Sequence, residues 1–404
     1  MTLASDVIIA GAGIIGCAAA RALSDAGLSV TIVEPGQPGR EASSAAAGLI
    51  SPQYEGHGPD PLFELCHQAR SLYPDFVGTL HDETGIDPEM RREGMLLFAL
   101  TESDEIALAE LQRWQERRGL RVERIDSPEV RKLERFANPS VRWALYLPDE
   151  IQIDNAKLCQ ALFRSLERRR IDWRLGESVA EVEIEAGKLR SVRTASGDRI
   201  PGRRLVIAAG AWSGRLAGLV RPLPVRPLRG HIVQLQLAQG AIQRVLASRR
   251  SYAVPRRDGR LLLGSTVEDV GFDPGPTSGG VREVLSNAFE IAPELANARM
   301  TKAWTGFRPG TPDGRPIIGE DPEVPGLIYA TGHFRNGILL APITARLVAA
   351  LASGAAVDHD LSDFSPARFS SEASDRAPIL KPEKSTGVPA HHVVTPDVDD
   401  TRTQ

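Results

Sequence analysis

The stretch Asp6-Val-Ile-Ile-Ala-Gly-Ala-Gly-Ile-Ile-Gly16 constrains this chain more than any other. Residues 6–10 read as a buried parallel strand, apolar on both faces and ended by Gly11. Residues 14–26 read as a helix rich in alanine and leucine, stopped by Gly27. Residues 28–33 return as a second strand, with Glu34 at its end. Between strand and helix, Gly11-Ala12-Gly13-Ile14-Ile15-Gly16 gives the spacing G-x-G-x-x-G. Gly11 permits the tight turn, Gly13 lets backbone approach phosphates, and Gly16 lets the helix pack close to the sheet. The helix N-terminus then offers unpaired N–H groups and partial positive charge to a pyrophosphate. Glu34 is placed to accept hydrogen bonds from ribose hydroxyls and to repel a 2′-phosphate. A dinucleotide site is therefore expected, and the turn alone does not separate FAD from NAD.

The remaining chain narrows the class. At 404 residues it exceeds one ordinary domain, so two domains are expected. A net charge of −4 argues against a nucleic-acid partner. Cys17, Cys66 and Cys159 are widely spaced and include no C-x-x-C, which points away from a disulfide framework or zinc site and towards a cytoplasmic location. Residues 7–20 are apolar but too short to cross a bilayer and lack a preceding basic region, so neither a membrane span nor a signal peptide is expected.

Along the chain, helices are expected over 61–83, 103–118, 154–169 and 338–351, and strands over 92–100, 204–209 and 326–331. Residues 178–184 and 188–194 alternate around Gly187 as a hairpin. Residues 221–270 predict an antiparallel sheet with strands over 230–237, 252–255 and 260–265. Beyond about residue 366 the composition is that of a disordered tail.

Apolar strands end in glycine again at Gly210 and Gly332, and a small-residue loop covers 42–48. A cofactor touching all of these runs through distant segments, as an extended FAD does. Three further motifs are more specific than the glycine turn: Gly-Ser-Thr-Val-Glu-Asp at 264–269, Thr-Gly-Phe-Arg-Pro-Gly-Thr-Pro-Asp-Gly-Arg-Pro-Ile-Ile-Gly at 305–319, and Ala-Thr-Gly-His-Phe-Arg-Asn-Gly-Ile-Leu-Leu-Ala-Pro at 330–342. On these, and over residues 6 to about 360, the chain resembles the D-amino-acid-oxidase-like flavoenzymes, within them the glycine oxidase branch of the thiamine-biosynthesis type.

The resemblance implies an α/β plus α+β fold: a Rossmann-like FAD-binding domain with an antiparallel-sheet substrate domain. It implies a discontinuous FAD domain over 1–75, 148–220 and 308–365, and a substrate domain over 76–147 and 221–307. Implied contacts to non-covalent FAD are Gly11, Gly13, Ile14, Ile15, Gly16, Glu34, Pro35, Ala42, Ser43, Ala47, Gly48 and Leu49, with Val179 near the adenine and Gly210 beside them. His333, Phe334, Arg335, Asn336, Gly337, Ile338 and Leu339 are implied to pass the flavin's pyrimidine end. Arg308 and Tyr252 are implied to hold a substrate carboxylate, with Arg335 close by; a guanidinium fork meets a carboxylate through two parallel hydrogen bonds. On residue type alone these arginines are surface ion-pair partners. The implied activity is oxidative deamination of glycine, small amines or D-amino acids by molecular oxygen, releasing peroxide and supplying the thiamine thiazole. A homotetramer is also implied. The alternatives are a D-amino-acid dehydrogenase using a quinone or carrier, and a non-catalytic flavin-binding protein.

No dedicated general base is expected, because an amine bound uncharged needs none. His57, His231 and His333 show no metal spacing or carboxylate partner and read as structural, and His391-His392 as solvated. The chain departs from the family pattern at Val267, where a longer methionine can stand, and at Arg250, which replaces a histidine; both are expected to alter pocket volume or charge. No cysteine follows Cys159, which excludes a flavin link to a C-terminal cysteine.

Overall fold

A computed structural model describes residues 5–56 and 58–369. Its first sheet has six strands, in the order Ile317–Glu320, Leu327–Thr331, Leu205–Ile207, Val7–Ala10, Val30–Glu34 and Ile171–Leu175. Successive pairs are parallel except at the Ile317–Glu320 edge. Val7–Ala10 shows why the apolar run had to become a central strand: Val7 and Ile9 enter one core, Ile8 and Ala10 another. The helices Ile14–Asp25, Pro61–Thr84, Asn155–Leu166 and Gly337–Ser353 cover one face. The three-stranded sheet of Val179–Glu185, Lys188–Thr194 and Arg199–Pro201 covers the other.

Helix Gly337–Ser353 carries Pro342 inside it. Proline has no N–H to bond the carbonyl four residues back. The buried Tyr73 hydroxyl donates to that carbonyl, Ile338 O, instead. A sequence irregularity at the start of this helix is thereby satisfied from helix Pro61–Thr84.

The second sheet has eight strands, in the order Arg299–Gly310, Arg226–Gln236, Arg260–Gly264, Tyr252–Pro255, Val245–Ala247, Met95–Ala99, Trp143–Leu147 and Glu123–Asp126. All neighbours are antiparallel except Val245–Ala247 with Met95–Ala99. Helix Ser278–Ile291 packs on one face. The other face, through Ile232, Tyr252, Val254 and Leu262, meets Ala47, Tyr54 and Phe63 of the first unit. The cavity described below lies at that meeting.

The hairpin forms as Val179–Glu185 and Lys188–Thr194, turning through Ala186 and Gly187, both at positive φ. Strand Arg299–Gly310 and helix Ser278–Ile291 were not among the expected elements. The expected boundaries at 75/76 and 307/308 fall inside helix Pro61–Thr84 and strand Arg299–Gly310. Where the tail is expected to start, Pro366–Arg368 forms a 3-10 turn, and the Arg368 guanidinium donates to Asp313 at 2.7 Å. The rest of the tail, with His391 and His392, lies outside the described residues, as does His57. Among the described residues no helix is long and apolar enough to cross a membrane.

Candidate active site

The glycine turn behaves as its spacing predicts. Gly11 has φ +103°, and a Cβ there would stand 2.6 Å from Ala208 O. A Cβ on Gly16 would stand 2.0 Å from Gly11 O, so only glycine lets this helix reach the turn. Helix Ile14–Asp25 opens at Gly13 with no side-chain cap and no acidic residue in its first turn. The N–H groups that follow Ile14 in its first turn therefore keep their anion-binding capacity. Ile14 N–H donates to Ser43 Oγ at 2.9 Å, which ties the 42–48 loop to the helix. The loop's carbonyls are held in turn: Ser43 O by Asn155 Nδ2 at 2.8 Å, Ala45 O by Trp304 Nε1 at 3.1 Å, and Ala47 O by Arg256 Nη2 at 2.8 Å.

From this turn a cavity, partly open to solvent, runs between the two sheets. Gly13, Ile14, Ile15, Ala42, Ser43, Ala47, Gly48, Leu49 and Gly210 line it, as do all of residues 333–339. Arg308, Tyr252 and Arg335 line it too. Segments far apart in sequence thus converge on one elongated space. The glycine cradle, the uncapped helix start and the length of the lining fit a dinucleotide with an extended flavin half.

Five expected contacts lie outside this lining. Gly11 and Gly16 act through packing, as above. Glu34 fastens the turn, its carboxylate accepting Ala12 N–H at 2.7 Å and Gly36 N–H at 2.8 Å. Pro35 is exposed, and Val179 packs at the edge of the core under the three-stranded sheet.

At the other end of the cavity the second sheet presents Arg308, from strand Arg299–Gly310. Its Nη1 donates to Thr266 O at 3.0 Å and its Nη2 to Ser265 Oγ at 2.8 Å. Among the described residues no carboxylate lies within 4.0 Å of it. Burial pulls this guanidinium below the usual arginine range, and the neighbouring Tyr252 partly restores it. A cation lining a cavity with only neutral partners is poised for an anion.

Two glycines make the room. A Cβ on Gly230 would lie 2.0 Å from Arg308 Nη1, and one on Gly264 would lie 2.5 Å from the Tyr252 ring and hydroxyl. Arg335 differs from Arg308: its Nη2 pairs with Glu55 at 3.0 Å. Tyr54, buried beside Arg335, has its hydroxyl pushed well above the usual phenol range by burial and donates to Ser248 O at 3.2 Å. Phe334, at φ +45°, occupies a conformation that non-glycine residues rarely adopt. Its N–H donates to Pro309 O at 3.0 Å, which joins the 330–342 motif to the 305–319 motif.

His333 and His231 are both buried and hydrogen-bonded to threonines. His333 is buried against Thr344 Oγ1 at 3.1 Å, and burial pulls its pKa down to about 3. His231 is buried against Thr266 and Thr277. Neither of the two departures lines the cavity, and Arg250 pairs with Glu290 of helix Ser278–Ile291. Sequence reasoning missed Glu55, Tyr54 and Gly230. An acid in the 51–60 stretch and a glycine within a strand carry no signal until the arginines they face are in place.

Residues 6–351 match the family model described as FAD dependent oxidoreductase. A glycine oxidase from Pseudomonas aeruginosa is 35% identical over 367 residues, covering 90% of this chain and 99% of that protein. The bifunctional protein ThiO/ThiG of Trichormus variabilis is 32% identical, covering 91% of this chain and 56% of that protein. The crystal structure of glycine oxidase from Geobacillus kaustophilus matches with a TM-score of 0.87 at 33% identity, covering 91% of this chain and 99% of that one.

Proposed function

Since the chain belongs to the FAD-dependent oxidoreductase family, we propose that it oxidises glycine and similarly small amines with molecular oxygen. The amino acid loses two electrons and two hydrogens to become the imine, and oxygen becomes hydrogen peroxide. Water then converts the imine to the 2-oxo acid and ammonia, or the imine passes onward. Bound FAD supplies the two-electron acceptor for this chemistry.

The observation that carries the reading is Arg308: a cation on the cavity wall whose hydrogen-bond partners are a backbone carbonyl and a hydroxyl. An α-amino acid's carboxylate supplies the charge it lacks, through two parallel bonds. Tyr252 donates alongside. Anchoring the carboxylate fixes where Cα lies in the cavity, which is the protein's main contribution to such a reaction. Arg335 is neutralised by Glu55, so it bounds the pocket rather than competing for the carboxylate. Gly13, Ile14, Ser43 and the 333–339 segment are the proposed holders of FAD, with Glu34 and Val179 toward the adenosine. The names of the glycine oxidase relatives support glycine as substrate, and the ThiO/ThiG relative supports thiamine thiazole synthesis as the destination of the product. A homotetramer and a cytoplasmic location belong to the same proposal.

A peroxide assay across glycine, sarcosine, D-alanine and D-proline tests it. Peroxide from glycine supports the reading; dye reduction without peroxide replaces it with a dehydrogenase.

A further inference from the structure

We propose that His231, which does not line the cavity, is a positioning residue that holds the carboxylate clamp in register. This rests on the reading of Arg308 given above.

The two terminal nitrogens of the Arg308 fork donate to one segment, at Ser265 Oγ and Thr266 O. Where that segment sits decides where the guanidinium points. His231 is fully buried on the neighbouring strand Arg226–Gln236 and grips the segment twice. Its backbone N–H reaches Thr266 Oγ1 at 3.1 Å, and its ring Nδ1 reaches the same oxygen at 2.8 Å. On the far side Nε2 takes the backbone N–H of Thr277, at 3.0 Å. Nε2 therefore carries no proton, and the neutral ring donates Nδ1–H to Thr266. Thr277 is the N-cap of helix Ser278–Ile291. Gly280 of that helix makes the space, since a Cβ there would lie 2.3 Å from the imidazole. A line of hydrogen bonds thus runs from the helix start through His231 and Thr266 to Arg308.

Protonating His231 puts a hydrogen on Nε2 opposite the Thr277 N–H and breaks this line. The charged groups around the ring are Arg229 on its own strand, Glu268 on the clamped segment, Glu283 on helix Ser278–Ile291 and Arg308 on strand Arg299–Gly310. Glu268 is occupied by Arg229 at 2.7 Å.

The test uses flavin-loaded enzyme, with acetate as a carboxylate that cannot turn over, its binding read from the perturbed flavin absorbance. His231→Leu and Thr266→Val should each weaken acetate binding and raise KM for glycine about tenfold, with flavin content kept and kcat within about twofold. Thr266→Ser and His231→Asn, which keep a hydroxyl acceptor and an N–H donor, should restore most of the affinity. The double variant should be no worse than either single one, because both break one line. Wild-type acetate affinity should fall in acid beyond what His231→Leu shows. If His231→Leu does not fold, the Thr266→Val and Thr266→Ser pair decides alone. Wild-type acetate affinity in His231→Leu or Thr266→Val overturns the proposal. So does a fall in kcat and flavin content that matches the change in KM, which marks a merely structural residue. Weaker acetate binding in these variants, when the wild-type enzyme makes no peroxide from glycine, supports the positioning role and ends the glycine reading.

Discussion

Replacing Gly230 by alanine separates folding from function at this site. Gly230 lies in strand Arg226–Gln236 opposite Gly306 and is not at positive φ, so alanine suits its backbone. The smaller conformational entropy of the unfolded chain favours the variant by about 0.5–1 kcal/mol. The atoms nearest the new methyl are all in the tip of Arg308, the closest of them 2.0 Å away. That tip is the end of a flexible side chain and can swing aside, so the fold survives. It must retreat by roughly 1 Å or more, however, and misplacement on that scale costs ~10²-fold in rate. The expected result is a ~10²-fold fall in kcat/KM for glycine, or about 2.7 kcal/mol of transition-state binding. Initial peroxide rates across a glycine series measure it. The ratio of flavin to protein absorbance and the thermal midpoint serve as controls and should match wild type. An enzyme with alanine at 230 and kcat/KM within twofold of wild type would refute the placement of the substrate carboxylate on Arg308.

Arg308→Ala should raise KM for glycine by more than ~30-fold, the loss expected when one side of a buried charge-assisted pair is removed, with flavin retained; unchanged steady-state kinetics would remove Arg308 from the clamp. Purified protein should be yellow and release its FAD into the supernatant on acid precipitation, and colour left in the pellet would contradict a non-covalent cofactor. Gly11→Ala should yield colourless or insoluble protein, because the Cβ meets fixed backbone at Ala208 rather than a movable side chain; a soluble yellow variant would count against the turn's role. Burial pushes the Glu150 carboxyl up to about 7, against the pull of Arg70. A raised folded-state value favours the protonated form, so the contribution is fully present below about pH 4.5 and lost as pH rises through about 7. Relative to Glu150→Gln, wild type should lose about 3 kcal/mol of unfolding free energy across that window; denaturant curves differing by a constant amount at pH 5 and pH 8 would exclude it.

Local spacing made the first unit legible in advance. Val7–Ala10 is apolar on consecutive residues, so it had to be buried on both faces. Gly11, Gly13 and Gly16 are demanded by a turn and a close helix, both local features. Alternation around Gly187 and the stop at Gly27 are equally local. The second sheet was only partly legible. Its Arg299–Gly310 edge begins on polar, exposed residues, so no run of apolar side chains marks it, although it carries Arg308. Resemblance in the 305–319 and 330–342 motifs picked out Arg308 and Arg335 together. The sequence by itself thus determined a βαβ phosphate cradle and a set of residues around it. Tertiary structure alone decided what distinguishes the two arginines. Arg335 pairs with Glu55 and is neutralised, whereas Arg308 has a backbone carbonyl and the hydroxyls of Ser265 and Tyr252 for partners and keeps its charge for a ligand. Charge pairing depends on atoms brought together from hundreds of residues apart, and one-dimensional spacing holds no record of it.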